Sequence, residues 1–214
     1  MHHLVKSAAY LFIVVLTFLS GCKTADTSAI IEEAPESGVS VKVVTSEEGE
    51  KPFKATTTEI IVNSVVTAID LQTREVVLLG DDGVEQSIIA SEDARNLDQI
   101  SIGDKVTIKY LENFTIKVVD GENIIPTTSS ASGTIRSEKG EMPAGGVGTK
   151  KIEVFIVEEI NLNANTFKLR NAKGAIKEFN SKDPQRLKDS SVGDAVILNT
   201  SNSVAIEVRK VTGE

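Results

Sequence analysis

The chain contains itself twice, and this duplication constrains the fold more than any other feature. Ser46-Glu47-Glu48-Gly49-Glu50-Lys51-Pro52 recurs as Ser137-Glu138-Lys139-Gly140-Glu141-Met142-Pro143, an offset of 91 residues. At the same offset Val66, Ile69, Leu71, Leu78 and Gly83 meet Val157, Ile160, Leu162, Leu169 and Gly174. Past a one-residue deletion the offset is 90, and Leu97, Ile102, Gly103, Asp104 and Val106 meet Leu187, Val192, Gly193, Asp194 and Val196. Shared composition does not produce so many matches of type and spacing, so 46–120 and 137–211 are two copies of one module. They are joined by a linker, 121–136, that holds Pro126 and the polar run Thr127 to Ser130, and a short tail covers 212–214.

Within the first copy, Glu59 to Ile69 is rich in Val, Ile and Thr and reads as a strand, followed by a turn at Asp70 to Arg74. Glu75 to Leu79 and Glu85 to Ala90 read as a second and third strand around the hairpin signal Asp81-Asp82-Gly83. Ser91 to Gln99 carries the start signals of a helical turn. Lys105 to Leu111 and Phe114 to Val119 alternate apolar and polar residues as two more strands. The second copy gives the same order: strands at 152–160, 166–170 and 175–180, a turn through Leu187, then strands at 194–199 and 204–211. The expected class is mainly β: two tandem five-stranded small barrels of the oligonucleotide/oligosaccharide-binding type, each with a short helix between strands three and four. An SH3-like barrel is the alternative.

Ahead of the modules, a short polar start ending at Lys6 precedes an apolar run from Ala8 to Leu19. That run is about a dozen residues where a bilayer core needs roughly 20, so 1–21 reads as a secretory signal peptide and not a spanning helix. Its ending, Leu19-Ser20-Gly21-Cys22, resembles the lipobox of bacterial lipoproteins. The resemblance implies cleavage between Gly21 and Cys22 and acylation of Cys22. Two or three acyl chains, at about 0.8 kcal/mol per buried methylene, hold a protein on a membrane where one would be marginal. Lys23 follows the cysteine; in enterobacterial lipoproteins a residue other than Asp there goes with the outer membrane, so the expected location is the envelope, facing the periplasm. Residues 22–45 then read as acylated cysteine and flexible tether, from the Ser, Thr, Ala and acid content of 23–38.

The strings Val66-Thr67-Ala68-Ile69-Asp70-Leu71, Ala94-Arg95-Asn96-Leu97, Gly103-Asp104-Lys105-Val106, Lys182-Asp183-Pro184-Gln185-Arg186-Leu187 and Val192-Gly193-Asp194-Ala195-Val196 resemble a family of uncharacterised proteobacterial exported proteins with a duplicated small barrel. Over roughly 46–211 the resemblance implies fold and compartment and no activity. Single modules also resemble periplasmic copper and silver chaperone barrels, which bind the cation through His, Met and Trp. This chain has His only at 2 and 3, no Trp, and beyond the signal segment one Met, so that metal site does not carry over.

Composition narrows the function further. Cleavage after Gly21 removes one base, Lys6, and no acid, leaving 22 basic against 31 acidic groups, a net charge of −9. An acidic surface repels phosphate backbones, and the six mature aromatics offer no basic stacking groove, so nucleic acid is not an expected partner. Phe167 and Phe179 read as core. His-dependent nucleophilic catalysis lacks its base, the only cysteine serves the anchor, and no soft metal ligand set remains, so no enzyme, cofactor or metal is expected.

Asp70, Asp81 and Asp82 could serve a hard cation, but the second copy has Asn161, Ala172 and Lys173 there, and turn formation accounts for them. Gly103-Asp104 and Gly193-Asp194 are likewise explained by turns. The remaining candidates are Arg74, Arg95, Arg170 and Arg186, a possible ligand rim for carboxylates or sugars. The function expected is therefore a lipid-anchored, non-enzymatic binding or scaffolding module for an envelope protein or polysaccharide, with a periplasmic cation carrier as the alternative.

Overall fold

Strand signals dominate the modules, and a computed structural model of the chain turns nearly all of them into one sheet. It describes residues 35–211. The signal segment, Gly21, Cys22 and the tether to residue 34 lie outside the described residues, as does the tail. The strands are β1 (Gly38–Thr45), β2 (Phe53–Asp70), β3 (Glu75–Gly80), β4 (Glu85–Ile89) and β5 (Lys105–Val119), then β6 (Thr127–Arg136), β7 (Ala144–Asn161), β8 (Thr166–Arg170), β9 (Ile176–Asn180) and β10 (Ala195–Arg209). The repeat is kept to the residue: β7 is β2 shifted by 91 at both ends, and β10 is β5 shifted by 90 at both ends.

All ten strands pair antiparallel in the order β4-β3-β2-β5-β10-β7-β8-β9, with β1 beside β2 and β6 beside β7. β2 is long enough to serve two neighbours on one edge, β1 along its first part (Thr45↔Lys54 to Gly38↔Ile61) and β3 along its last (Ser64↔Gly80 to Asp70↔Glu75). A bulge between Val66 and Ala68 bends it near this change of partner, and β7 has its bulge at the same place, between Val157 and Glu159. The bulges are pinned by matching bonds. Val66 N–H donates to Asp104 O and Gly103 N–H to Val66 O, while Val157 N–H donates to Asp194 O and Gly193 N–H to Val157 O.

The mainly β class therefore holds, but the sheet is single and open where two separate barrels were expected. The reason lies at Glu112-Asn113, read as a break between two strands. No glycine or proline stands there, and the chain runs on as one strand of 15 residues. Instead of turning back to close a barrel, β5 pairs with β2 on one side and with β10 on the other. Between β4 and β5 lies only a 3-10 turn, Leu97–Gln99, and between β9 and β10 only the one-turn helix α1 (Pro184–Leu187). Each buries one leucine, Leu97 or Leu187.

A second correction concerns the boundaries. Residues 38–45, assigned to the tether, form β1, and 127–136, within the linker, form β6. Every residue of both strands is exposed; β1 alternates Val39, Val41 and Val43 with Ser40 and Lys42, while the Ser/Thr-rich β6 reads as loop on composition alone.

The two copies grip each other by a reciprocal exchange. The β1–β2 hairpin loop, which carries the Ser46–Pro52 motif, lies on the helical turn of the second copy; the β6–β7 loop, with the Ser137–Pro143 motif, lies on the turn of the first. Asn96 donates through Nδ2 to Glu138 O at 2.6 Å and to Ser137 Oγ at 3.4 Å, and its Oδ1 accepts from Gly140 N–H at 3.1 Å. Arg186, its equivalent, donates to Glu47 O at 2.5 Å and to Ser46 Oγ. Within each copy a matched bond anchors the loop, Val118 N–H to Pro52 O and Val208 N–H to Pro143 O. The strongest repeat in the sequence is thus the part of each copy that reaches across to the other.

Asn96 is also held at φ 60, in the left-handed region. Asn96→Gly keeps that backbone conformation accessible and removes the side-chain bonds, so it isolates the clasp. It is expected to lower stability by about 1–2 kcal/mol in urea unfolding with an unchanged far-UV spectrum. Asn96→Ala should cost about 1 kcal/mol more, since a Cβ disfavours that conformation.

Candidate functional site

The chemistry-bearing side chains gather at the seam between each hairpin loop and the helical turn it covers. At one seam Lys51 Nζ lies 2.7 and 2.6 Å from the two carboxylate oxygens of Asp194 and 3.3 Å from Asp120. Asp194 is 4% exposed. Its carboxylate also accepts the Ser191 N–H at 2.7 Å, which closes the Gly193-Asp194 turn. The hydrogen bond from Lys51 to Asp194 holds the amine's pKa above its ordinary 10.5. At the other seam the equivalent of Lys51 is Met142, packed on the apolar cluster of Val66, Val76, Leu78, Val106 and Val208. Asp104 there caps Ser101 N–H in the same way, and its cation comes from Lys210, at 3.8 Å, which stands where the other seam has Asp120.

The four candidate arginines do not form one rim. Arg74 folds back within its own copy, donating to Ala90 O, Ser91 O and Ala94 O at 3.0, 2.6 and 2.9 Å, and so staples the β2–β3 turn to the chain after β4. Arg170, at the end of β8, pairs with Glu158 at 2.5 Å. Arg186 belongs to the clasp and also lies 3.4 Å from Asp189. Arg95 is exposed beside Asn96, and with Asp98, Lys139 and Gly140 it lines a crevice of about 630 Å³ where the second copy's hairpin meets the first copy's turn. Of the four, Arg95 alone faces a cavity that a carboxylate or sugar could enter without displacing an internal bond.

The acidic turns act as turns. Asp70 accepts the N–H groups of Gln72 and Thr73, which hold its carboxyl below the ordinary carboxylate range, and Asn161 does the same for Asn163 and Ala164. A neutral amide thus replaces the carboxylate without loss of the cap. Asp82 accepts Val84 N–H while Gly83 sits at φ 79. Among the described residues no group of three or more His, Cys, Asp or Glu side chains is placed to hold a metal ion. Of the two phenylalanines read as core, Phe167 is half-buried and Phe179 is 41% exposed; they stack on one another with centroids 5.6 Å apart.

Three positions escaped the sequence reading: Lys51, Asn96 and Ser190. Each is a place where the two copies differ within the repeated segments, Lys against Met142, Asn against Arg186 and Ser against Ile100. That difference is the signal that could have found them. Ser190 borders a second cavity, of about 200 Å³, beneath α1.

No described helix is long and apolar enough to cross a membrane. No known protein family, curated protein or solved structure matches the chain.

Lys51 supplies the cation for a carboxylate already removed from water, so Lys51→Met leaves Asp194 with only its Ser191 bond. Because Lys51 is itself one-third exposed, the expected loss is about 1–2 kcal/mol, below that of a fully buried pair. The sign with pH follows from the raised amine. Its contribution is complete below 10.5 and is lost as pH rises through the higher folded value. Urea midpoints measured from pH 8 to 11.5 should therefore fall more steeply at the alkaline end in the native chain than in Lys51→Met.

Proposed function

We propose that this chain is a lipid-anchored protein of the bacterial envelope that acts as a non-enzymatic binding or scaffolding module. The observation that carries the reading is the coincidence of Leu19-Ser20-Gly21-Cys22 with a short apolar run before it and a duplicated module after it. Cleavage before Cys22 and its acylation tether the module to the membrane; Lys23 favours the outer membrane, with the folded part in the periplasm. The resemblance to duplicated-barrel exported proteins enters the same reading. The small apolar cluster shared by β2, β3 and β5 at the first copy's end of the sheet supports that likeness.

The architecture supports a binding role over a chemical one. Two copies clasped in one sheet carry like surfaces at a fixed spacing, so a partner with two matching elements gains avidity without any single strong contact. The buried carboxylates of the two Gly-Asp turns serve the seams, Asp194 paired with Lys51 and Asp104 facing Lys210. The partner proposed is another envelope protein or a polysaccharide, and the exposed crevice at Arg95 and Lys139 is where an acidic group of that partner would meet positive charge.

Two measurements check this. Palmitate labelling should be lost in Cys22→Ala; equal labelling of the variant removes the anchor. Pull-down from envelope extract with the chain from Lys23 onward should return a reproducible partner, weakened by Arg95→Ala. Stoichiometric micromolar binding of copper, zinc or calcium would instead establish a cation carrier.

A further inference from the structure

The two copies give the same core position two different fillings. Val66, Val76, Leu78 and Val106 of the first copy form a buried cluster with Val208 of the second, and Ile69, Ile100, Ile108 and Met142 pack against it. The duplication offsets carry Val66, Ile69, Val76, Val106 and Val208 onto Val157, Ile160, Phe167, Val196 and Val118. All five of these line the 200 Å³ cavity of the second copy, together with Leu187, Pro52 and Ile116. One copy therefore has an apolar cluster where the other has a largely apolar pocket half open to solvent.

Two substitutions between the copies account for it. Ile100 becomes Ser190, which removes a branched side chain from the cluster and places a hydroxyl at its border. Met142 becomes Lys51, whose stem leads its amine away to Asp194 and Asp120. Phe167, larger than Val76, restores only part of the volume, since its ring stacks on Phe179. The pocket is half open to solvent, so its Val, Ile, Leu and Phe side chains present apolar surface to water that a ligand could cover.

We propose that this cavity is a binding site for a short neutral aliphatic group, taking the place that Ile100 and Met142 fill in the first copy. The size follows from volume: an apolar cavity of about 150 Å³ accommodates benzene, so about 200 Å³ suits a group of roughly six or seven carbons. The neutrality follows from the lining, in which Arg186 is the one charged side chain, already bonded to Glu47 O and Ser46 Oγ and ion-paired with Asp189. A charged ligand would have to compete with these contacts. Ser190 is the polar group left for a ligand hydroxyl or carbonyl, since the Ser181 hydroxyl is already bonded to Asp183. The site is independent of the anchor and of any envelope partner, and either reading can fail alone.

The test uses the chain from Lys23 onward, which keeps the whole compact unit 34–214, and hexan-1-ol as probe, with hexanoate as its charged counterpart. Methyl resonances of Val118, Val157, Ile160, Leu187 and Val196 should shift saturably with hexan-1-ol, and hexanoate should bind at least about tenfold more weakly. Ser190→Ile refills the cavity as the first copy does; it should abolish the shifts and raise the thermal midpoint. Ser190→Val is the gentler replacement should isoleucine disturb folding, and it should weaken the probe in proportion to the volume it fills. Conversely, Ile100→Ser should open a second set of saturable shifts at Val66, Ile69 and Val106. Absence of saturable shifts in the native chain, or shifts unchanged in both Ser190 variants, overturns the proposal. Tighter binding of hexanoate than of hexan-1-ol overturns the neutral ligand class.

Discussion

The pairing of β5 with β10 is the constraint on which the rest of the molecule depends. Residue i of β5 faces a partner in β10 along all 15 positions, from Lys105↔Arg209 to Val119↔Ala195, with Glu112 opposite Asn202 in the middle. Since the copies are offset by 90 in this region, Glu112 and Asn202 are each other's equivalents. Two equivalent antiparallel strands that meet at equivalent residues are related by a local two-fold axis, the geometry of an isologous dimer interface built within one chain. Everything outward of that axis then occurs twice: β2 and β7, the bulges, the Gly-Asp turns and the hairpin clasps. A slip of one residue along β5–β10 would turn every side chain of one copy to the opposite face and separate each clasp from its turn.

This dependence explains the economy of the core. The described chain buries only small clusters, one around Val66 and one of Val154, Ile156 and Ala195. Neither would hold an isolated module of this size. The long central strands supply backbone hydrogen bonds that do not need a second layer, and the clasps at the seams add bonds and ion pairs between residues more than 40 and up to 143 positions apart. Gly121 shows how tightly one seam is closed, since a Cβ there would lie 1.9 Å from Gly193 O. The exposed valines of β1 and the polar face of β6 are the remainder of this design, edges that pair on one side only.

What could be read in the sequence, and what could not, divides along the same line. The duplication, the β class, the hairpin at Asp81-Asp82-Gly83 and the Gly-Asp turns are local signals, and each is where it was expected. The partner of a strand is not a local property. Nothing in Lys105–Val119 says whether its far half turns back on its own copy or continues onto the other, because both outcomes bury the same alternation. The same holds for the arginines: Arg74 and Arg170 have the charge of a ligand rim, but carbonyls and a carboxylate close to them in the fold take that charge up. β6 escaped notice because its Ser/Thr-rich sequence carries no hydrophobic period, whereas β1 does alternate, Val39, Val41 and Val43 with Ser40 and Lys42, and that signal was legible.

The differences between the copies carry information that their similarity conceals. A duplicated fold needs each stabilising contact at both ends, so a position that changes at one end without a structural compensation marks a place released from that need. The exchange of Asp120 for Lys210 is compensated: the cation for each Gly-Asp carboxylate comes from the opposite side of its seam, Lys51 in one case and Lys210 in the other. The exchange of Asn96 for Arg186 is compensated too, since both side chains reach the same carbonyl of the opposing hairpin. The exchange of Ile100 for Ser190 is not. It opens the second copy's cluster to a volume that no other side chain fills, at the point where that copy's helical turn, the first copy's Pro52 and β5 converge. Symmetry thus separates the residues that hold the two copies together from a place where their packing has diverged, and it is shape that a ligand reads.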